Sequence, residues 1–249
     1  MKRLLIVCSL LALLLTACQS TSVGHSSVPE PSEPPLTGPV DSAPWFKTFR
    51  VVETMGETLV LAGNGDAAGD IYTMSASHCD FPIADGQLIN VYFEHILETW
   101  PAQLGNISKV ELTNEPADDR CGLYLQALED LWAVDPGLNA DVSRLGMDLS
   151  NITDLCGSEK SGVMYAFSCA HGLFPAISGT WEELAEEGYI NKENLYWEDG
   201  IFFSLAGNAD NFNAQKWRSG TGAYFFFHCS GNMAEDGSWT YDIGGQAIS

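Results

Sequence analysis

Apolar and polar residues alternate from Trp45 onwards, with interruptions at Gly and Asp, which is the pattern of short, half-buried strands. This alternation predicts strands at about 46–54, 57–62, 70–76, 87–94 and 107–112. Five short strands within about seventy residues are typical of a small barrel. We therefore expect a β-barrel domain over residues 45–114.

After Asn114 the apolar residues follow the helical period instead. The spacing from Tyr124 to Leu131 predicts a helix over 121–134 that ends at Asp135-Pro136-Gly137. A second helix is predicted over 158–171. The segment Thr180-Trp181-Glu182-Glu183 is a capping box, in which the Thr hydroxyl and the second Glu satisfy free amides, so it predicts a short third helix that ends near Gly188.

Strands are predicted between and after these helices, at about 142–149, 195–198, 201–204, 222–229 and 238–243. Asp199-Gly200 separates two of them and is a typical two-residue hairpin turn. We expect an α+β domain over 115–249, with an antiparallel sheet and about three helices. The change of period near 115–119 predicts two separately packed domains with a polar junction.

The first residues have the pattern of a secretion signal. Lys2 and Arg3 precede an apolar run over 4–15, which is shorter than the ~20 residues of a membrane-spanning helix. The run ends in Leu15-Thr16-Ala17-Cys18, which resembles the bacterial lipobox. We expect residues 1–17 to be a lipoprotein signal peptide and Cys18 to carry the lipid anchor; the alternative is an ordinary secretory signal with a chance cysteine.

Residues 18–44 are rich in Pro and Ser and hold six of the eleven prolines of the chain. This composition cannot bury enough apolar surface to fold, so we expect a disordered tether that lifts the folded part off the lipid surface. The predicted location is the extracytoplasmic face of the bacterial cell membrane.

Acidic residues outnumber basic ones three to one, since 33 Asp and Glu face 11 Lys and Arg. Nucleic-acid binding uses a basic surface that neutralises phosphates, and the barrel region holds only Lys47, Arg50 and Lys109 as basic residues. The expected partners are membrane lipid, through the acylated Cys18, and an envelope protein, a peptide or a glycan. No nucleic acid and no cofactor are expected.

Two aromatic residues of the barrel region are candidates for ligand stacking. Trp100 and Tyr92 carry rings that are large enough to cover a sugar or a base. Packing in the core or at its rim explains either residue more simply.

Lys216-Trp217-Arg218 is the candidate ligand-binding segment of the second region. In a strand the two cations share one face and Trp217 takes the other. The cations can then hold a carboxylate or a phosphate, with Arg218 as a bidentate donor. The alternative is that they neutralise neighbouring acids such as Glu198 and Asp199 and hold the sheet together.

Five cysteines remain in the expected mature chain outside the anchor: Cys79, Cys121, Cys156, Cys169 and Cys229. Their spacing fits no zinc site, and either one or two disulfides or free thiols are expected. Three His–Cys neighbours, His78-Cys79, His228-Cys229 and Cys169 with His171, suggest a thiol nucleophile, but local strand and helix geometry separates each pair. No catalytic residue is predicted.

No metal site is predicted either. Two loops hold oxygen ligands of the kind that calcium prefers, Asn64/Asp66/Asp70 and Asp135/Asn139/Asp141. Neither has the spacing of an EF-hand, and solvated turn residues explain both more simply.

The segment Glu98-Thr99-Trp100-Pro101-Ala102-Gln103, with the strand before it, is similar to the end of an uncharacterised domain of Gram-positive lipoproteins. That resemblance covers about residues 45–114 and implies an OB-like barrel. Segments such as LYWEDG and AQKWRSG resemble the C-terminal halves of clostridial surface lipoproteins. Neither resemblance implies an activity; the second implies location and domain boundaries.

Together these observations predict a fold of class α+β, a small OB-like barrel followed by an α+β domain. The predicted function is a membrane-anchored binding or interaction module of unknown ligand that works without a cofactor. The alternative is an extracellular hydrolase that acts on cell-wall or peptide material, with its site in the C-terminal domain.

Overall fold

The computed structural model describes residues 45–66 and 69–249, and its first half is a seven-stranded sheet. The strands are β1 (Phe46–Met55), β2 (Thr58–Gly63), β3 (Ile71–Ser75), β4 (Leu88–Tyr92), β5 (His95–Leu97), β6 (Ala102–Gly105) and β7 (Lys109–Leu112). Their order is β5-β6-β3-β2-β1-β4-β7, and β6 pairs parallel to β3. The five predicted strands are confirmed; β5 and β6 are too short and too exposed to produce an alternating pattern.

Strand β2 is buried on both faces and explains how the two halves meet. Leu59 and Leu61 lie in a core cluster of the first sheet, whereas Val60 and Ala62 belong to a larger cluster that includes helix residues. Successive side chains of this strand point to opposite faces of the sheet, so they contribute in turn to two separate cores.

The second half contains three helices: α1 (Arg120–Ala133) precedes its strands, and α2 (Gly157–Ala170) and α3 (Trp181–Glu186) lie between them. The three predicted helices are confirmed, and their ends agree within two residues. Asp119 caps α1 by accepting a hydrogen bond from the Gly122 amide, and Thr180 with Glu183 forms the predicted capping box of α3.

The second sheet contains β8 (Arg144–Asp148), β9 (Ile177–Ser178), β10 (Gly200–Asn208), β11 (Asn211–Ser219), β12 (Gly222–Met233), β13 (Trp239–Asp242) and β14 (Gly245–Ile248). The order is β13-β12-β11-β10-β8-β9, with β14 also on β12. The expectation of an antiparallel sheet is corrected in part, because β8 runs parallel to both β10 and β9. Long segments with helices connect these strands, which permits the parallel pairing. The strand expected over 195–198 is wrong, since this segment consists of turns with isolated bridges at Tyr196.

The hairpin expected at Asp199-Gly200 is also wrong. Gly200 begins β10 and pairs with Arg144, and the hairpin lies further on, where Asn208 pairs with Asn211. A Cβ at position 200 would collide with the Trp197 indole, so this glycine serves close packing and not a turn.

The junction between the halves is apolar at its centre, which corrects the expectation of a polar one. Val52 and Val60 share a core cluster with Leu128 of α1 and Phe167 of α2. The sheets do divide the chain near residue 115, but the helices pack between them, and the contacts group the described residues into one compact unit.

A charged network closes the junction at its edge. Arg50 donates to Glu159 of α2 at 2.7 Å and to the carbonyl oxygens of Gly86 and Asp118 at 2.8 and 3.1 Å. Burial alone would raise the pKa of Asp118, but hydrogen bonds from Arg120 and Trp239 outweigh this effect and lower it. The network therefore joins β1, α1, α2 and β13. No helix among the described residues has the length and apolarity to cross a membrane.

Candidate functional site

A groove of about 550 Å³ lies beside the exposed indole of Trp100, and we call it the Trp100 groove. It is lined by Glu57, Thr58, Thr73, Met74, Ser75, Thr99, Trp100, Pro101, Gln103, Leu104 and Tyr165. The first sheet supplies its floor, since Thr58 pairs with Ser75 and Thr73 pairs with Gln103 in the strand register. Helix α2 supplies Tyr165.

Three aromatic rings from separate segments meet at one side of this groove. Trp100 stacks on Phe174, with ring centroids 5.4 Å apart and ring planes 12° from parallel. Tyr165 contacts both rings edge-on, at 5.8 Å from Trp100 and 5.3 Å from Phe174. Trp100 nevertheless remains 51% exposed. The cluster thus fixes the indole in place while leaving half of its surface open to solvent.

The polar lining of the Trp100 groove is mostly uncharged. Thr58 and Gln103 are exposed and Thr73 is half-buried, so hydroxyl and amide groups are accessible along the strands. Burial and a hydrogen bond with Cys169 raise the pKa of Tyr165, which keeps its hydroxyl protonated as a donor. Glu57 is the one carboxylate among the lining residues.

Tyr92, the other proposed stacking residue, does not line the Trp100 groove, and its hydroxyl and ring already contact other residues. Its hydroxyl donates to Glu111 at 2.9 Å, and its ring contacts Phe46 and the Lys109 ammonium, with centroid distances of 5.1 and 5.5 Å. Packing at the rim, the simpler interpretation, describes this residue.

Lys216 is placed by β11 in the interior, completely buried. Its ammonium donates to the carbonyl oxygens of Trp132, Val134 and Asp135 at 3.2, 2.6 and 3.2 Å. These are the carbonyls at the C-terminal end of α1, where positive charge is favourable. Burial lowers the pKa of Lys216 to about 8.

Arg218 has a similar structural position. It donates to the carbonyl oxygens of Leu138 at 2.9 Å and Glu198 at 2.9 Å, and also to that of Ala140. The two cations share a face, as the strand pattern predicted, but they bind backbone carbonyls in place of an anionic ligand or the Glu198 and Asp199 carboxylates. Trp217 takes the opposite face, where it is 8% exposed.

An acidic cleft of about 260 Å³ lies between β1, α1 and α2. Burial, together with the nearby carboxylates of Asp85, Asp119 and Glu129, raises the pKa of Glu53 to about 7. Burial likewise raises the pKa of Asp119 to about 6. The sequence alone does not reveal this group of neighbouring carboxyls, because the four acids are distant along the chain.

The three His–Cys neighbours have other partners or surroundings. His171 lies 3.0 Å from a Glu129 oxygen and stacks on Trp132 with centroids 4.0 Å apart, while the Cys169 thiol shares a hydrogen bond with the Tyr165 hydroxyl. His228 is exposed and Cys229 is buried. His78 ends a 3₁₀ turn before Cys79, so that pair does not lie in a strand as expected. The five described cysteines are all free thiols.

The two acidic loops are engaged within the protein. Asp66 forms an ion pair with Lys47, and the Asn139 amide donates to the Trp132 carbonyl oxygen at 2.8 Å. Among the described residues no group of three or more His, Cys, Asp or Glu side chains is arranged to hold a metal ion.

Cys18, the predicted lipid anchor, lies outside the described residues. Comparisons of the chain with models of protein families, with curated proteins and with solved structures find no match.

Proposed function

We propose that this protein is a lipoprotein anchored through acylated Cys18 at the extracytoplasmic face of the membrane, and that its folded part binds a glycan in the Trp100 groove. One observation carries the choice of ligand. Trp100 is half exposed and held by Phe174 beside a lining of hydroxyl and amide side chains.

This combination matches the chemistry of a sugar ring. A pyranose has an apolar face of C–H groups that packs on an aromatic ring, and a rim of hydroxyl groups that donate and accept hydrogen bonds. Thr58, Thr73 and Gln103 offer both functions along the strands that form the floor. The single carboxylate of Glu57 favours a neutral over an anionic glycan.

The strand order of the first sheet supports the proposal of an OB-like fold. Strands β1, β2 and β3 are consecutive neighbours and β4 returns beside β1, which is a Greek-key arrangement. OB-folds are partly open Greek-key barrels, and many of them bind oligosaccharides. Membership of an uncharacterised family of Gram-positive surface lipoproteins stays a proposal that rests on the resembling segments.

Titration with soluble neutral oligosaccharides tests the groove. Cello-, xylo- and chito-hexaose serve as probes, and isothermal calorimetry measures the dissociation constant for the wild-type protein and Trp100→Ala. We expect one probe series to bind and Trp100→Ala to weaken it about tenfold, the loss of about 1.4 kcal/mol of stacking. Trp45→Ala is the matched control, since Trp45 is also exposed but does not line the groove. Equal loss in both variants, or no binding of any probe, contradicts the proposal.

Cell fractionation tests the anchor separately. Cys18→Ser removes the thiol that accepts the lipid, so we expect the protein to move from the membrane fraction to the medium. A Cys18→Ser variant that stays membrane-bound and uncleaved contradicts the lipoprotein assignment without affecting the groove.

The alternative is an extracellular hydrolase, and the acidic cleft supports it, although Glu53 belongs to β1 and not to the C-terminal half in which the sequence placed the site. Glu53, with a pKa of about 7, and the His171–Glu129 pair are groups of the kind that general acid–base catalysis uses. Hydrolysis of cell-wall fragments that is lost in Glu53→Gln would favour this alternative over a binding module.

A further inference from the structure

A second groove, of about 490 Å³, lies on the face of the second sheet that points away from α1 and α2. Its lining includes Trp181, Phe202, Trp217 and Phe225, with Asp148 and Glu182 beside them. We call it the sheet-face groove. It shares no lining residue with the Trp100 groove, so a ligand of this groove is independent of the proposed function.

Two of the aromatic rings of the sheet-face groove, Trp217 and Phe202, are buried and form its floor, while Trp181 and Phe225 are half-buried and more open to solvent. Trp181, the first residue of α3, meets Trp217 of β11 with centroids 5.5 Å apart and ring planes at 86°. Phe202 pairs with Trp217 in the strand register and is buried, so it belongs to the floor. Phe225 stacks in parallel on Phe227, with centroids 5.7 Å apart.

The charge of this groove has one sign. Asp148 and Glu182 supply two carboxylates, and the residues that line the groove in the described part of the chain include no Lys, Arg or His. Asp148 is held in place by hydrogen bonds from the amide and the hydroxyl of Ser150, at 2.9 and 2.6 Å. An anionic ligand is therefore repelled, and a neutral ligand forms no ion pair with either carboxylate.

From these observations we infer that the sheet-face groove binds an organic cation whose charge lies on an alkylated nitrogen. The faces of Trp and Phe rings attract cations through their quadrupole, and quaternary ammonium groups are the ligands that clustered aromatic rings recognise. Methyl groups on the nitrogen pack on the rings, and the carboxylates balance the charge. A primary ammonium is more strongly hydrated and has no methyl groups to pack on the rings, so it gains less from this contact.

The test compares choline with 3,3-dimethylbutan-1-ol, which has the same shape without the charge. Titrations of the full-length protein are followed by intrinsic Trp fluorescence and by calorimetry. We expect choline to bind at least tenfold more tightly than the neutral alcohol, and ethanolamine to bind more weakly than choline. Equal binding of choline and the alcohol, or preferential binding of ethanolamine, overturns the inference.

Two variants locate the site. Trp181→Leu removes the half-buried aromatic ring of α3 and is expected to weaken choline binding about tenfold. Glu182 is exposed, and Glu182→Gln removes one charge and is expected to weaken binding about threefold. Glu182→Gln does not alter the packing of α3 on the sheet, so it remains informative if Trp181→Leu unfolds. Trp45→Ala is the control and should leave choline binding unchanged, since Trp45 is exposed and lines neither groove. Choline binding that is unaffected by both groove variants, or that is lost in Trp45→Ala, overturns the assignment.

Discussion

Glu53 illustrates how the position of one side chain links stability to pH. Its carboxyl is half-buried among Asp85, Asp119 and Glu129, and this environment favours the neutral form. The pKa is about 7 in the folded protein and 4.5 in the unfolded chain, so the folded state holds the proton more tightly between these values. The favourable contribution of the protonated Glu53 carboxyl to the free energy of unfolding is complete below pH 4.5, and it is lost as the pH rises through 7.

We therefore expect Glu53→Gln to stabilise the protein at pH 8 and to have little effect near pH 4. The gain at pH 8 should be on the order of 1 kcal/mol, since the side chain is partly solvated and its charge is screened. Urea unfolding at both pH values measures it. Glu57→Gln, an exposed neighbour on the same strand connection, is the control and should show no such pH dependence; an equal gain at pH 4 would contradict the explanation.

The candidate residues show what a sequence predicts and what it omits. Trp100 can be proposed from the sequence alone, because its ring is large enough to cover a sugar or a base, but the sequence favours packing for it. Its partners Phe174 and Tyr165 are more than sixty positions away, so nothing local connects them. In the same way alternation places Lys216 and Trp217 on opposite faces, but it does not reveal the α1 carbonyls that bind Lys216.

At the scale of elements, helix α2 approaches strand β1 closely at Gly162. A Cβ at this position would lie 2.9 and 3.1 Å from the two methyl carbons of Val52. Val52 belongs to the core cluster that joins the two halves, and Gly162 is buried against it. The absence of a side chain at Gly162 therefore sets the distance between helix and sheet.

We expect Gly162→Ala to destabilise the protein by about 1–3 kcal/mol through overpacking, although alanine favours a helix by up to about 1 kcal/mol over glycine. Thermal and urea unfolding measure the change. Val52→Ala removes the two methyl groups, so Gly162→Ala should cost less in that background than in the wild type. An equal cost in both backgrounds would show that the two positions are not coupled.

Elements with strong local signals are predicted well, and those that depend on distant partners are not. The capping box at Thr180 starts α3 because its hydrogen bonds are local. Asp199-Gly200 has an equally strong hairpin signal, but a side chain at Gly200 would collide with Trp197, and Gly200 pairs with Arg144 of the parallel strand β8. Local turn chemistry cannot reveal such a tertiary requirement. The predicted strands also omit β11, because polar residues such as Asn211 and Asn213 weaken its apolar alternation.

At the scale of the whole molecule, the two sheets depend on one set of helices. Val60 and Ala62 of β2 are covered by residues from the second half, and Arg50 reaches Glu159 of α2 and the backbone at Asp118. The segment around 115–119 is tied down as well, since the Asp118 amide donates to Gly86 and the Asp119 amide donates to Gly237. The change of period near residue 115 therefore marks a change of secondary structure within a shared core.

This arrangement predicts a single unfolding transition for residues 45–249. A fragment of residues 45–114 would expose Val52, Val60 and Ala62 to water, and we expect it to aggregate or remain unfolded when expressed alone. In the intact protein, limited proteolysis should cut the 18–44 segment and spare 115–119, because an ordered and hydrogen-bonded backbone is a poor protease substrate. Near-UV circular dichroism and calorimetry during heating measure the number of transitions. Two separate transitions, or a 45–114 fragment that folds by itself, would show instead that the halves are independent domains joined by a weak interface.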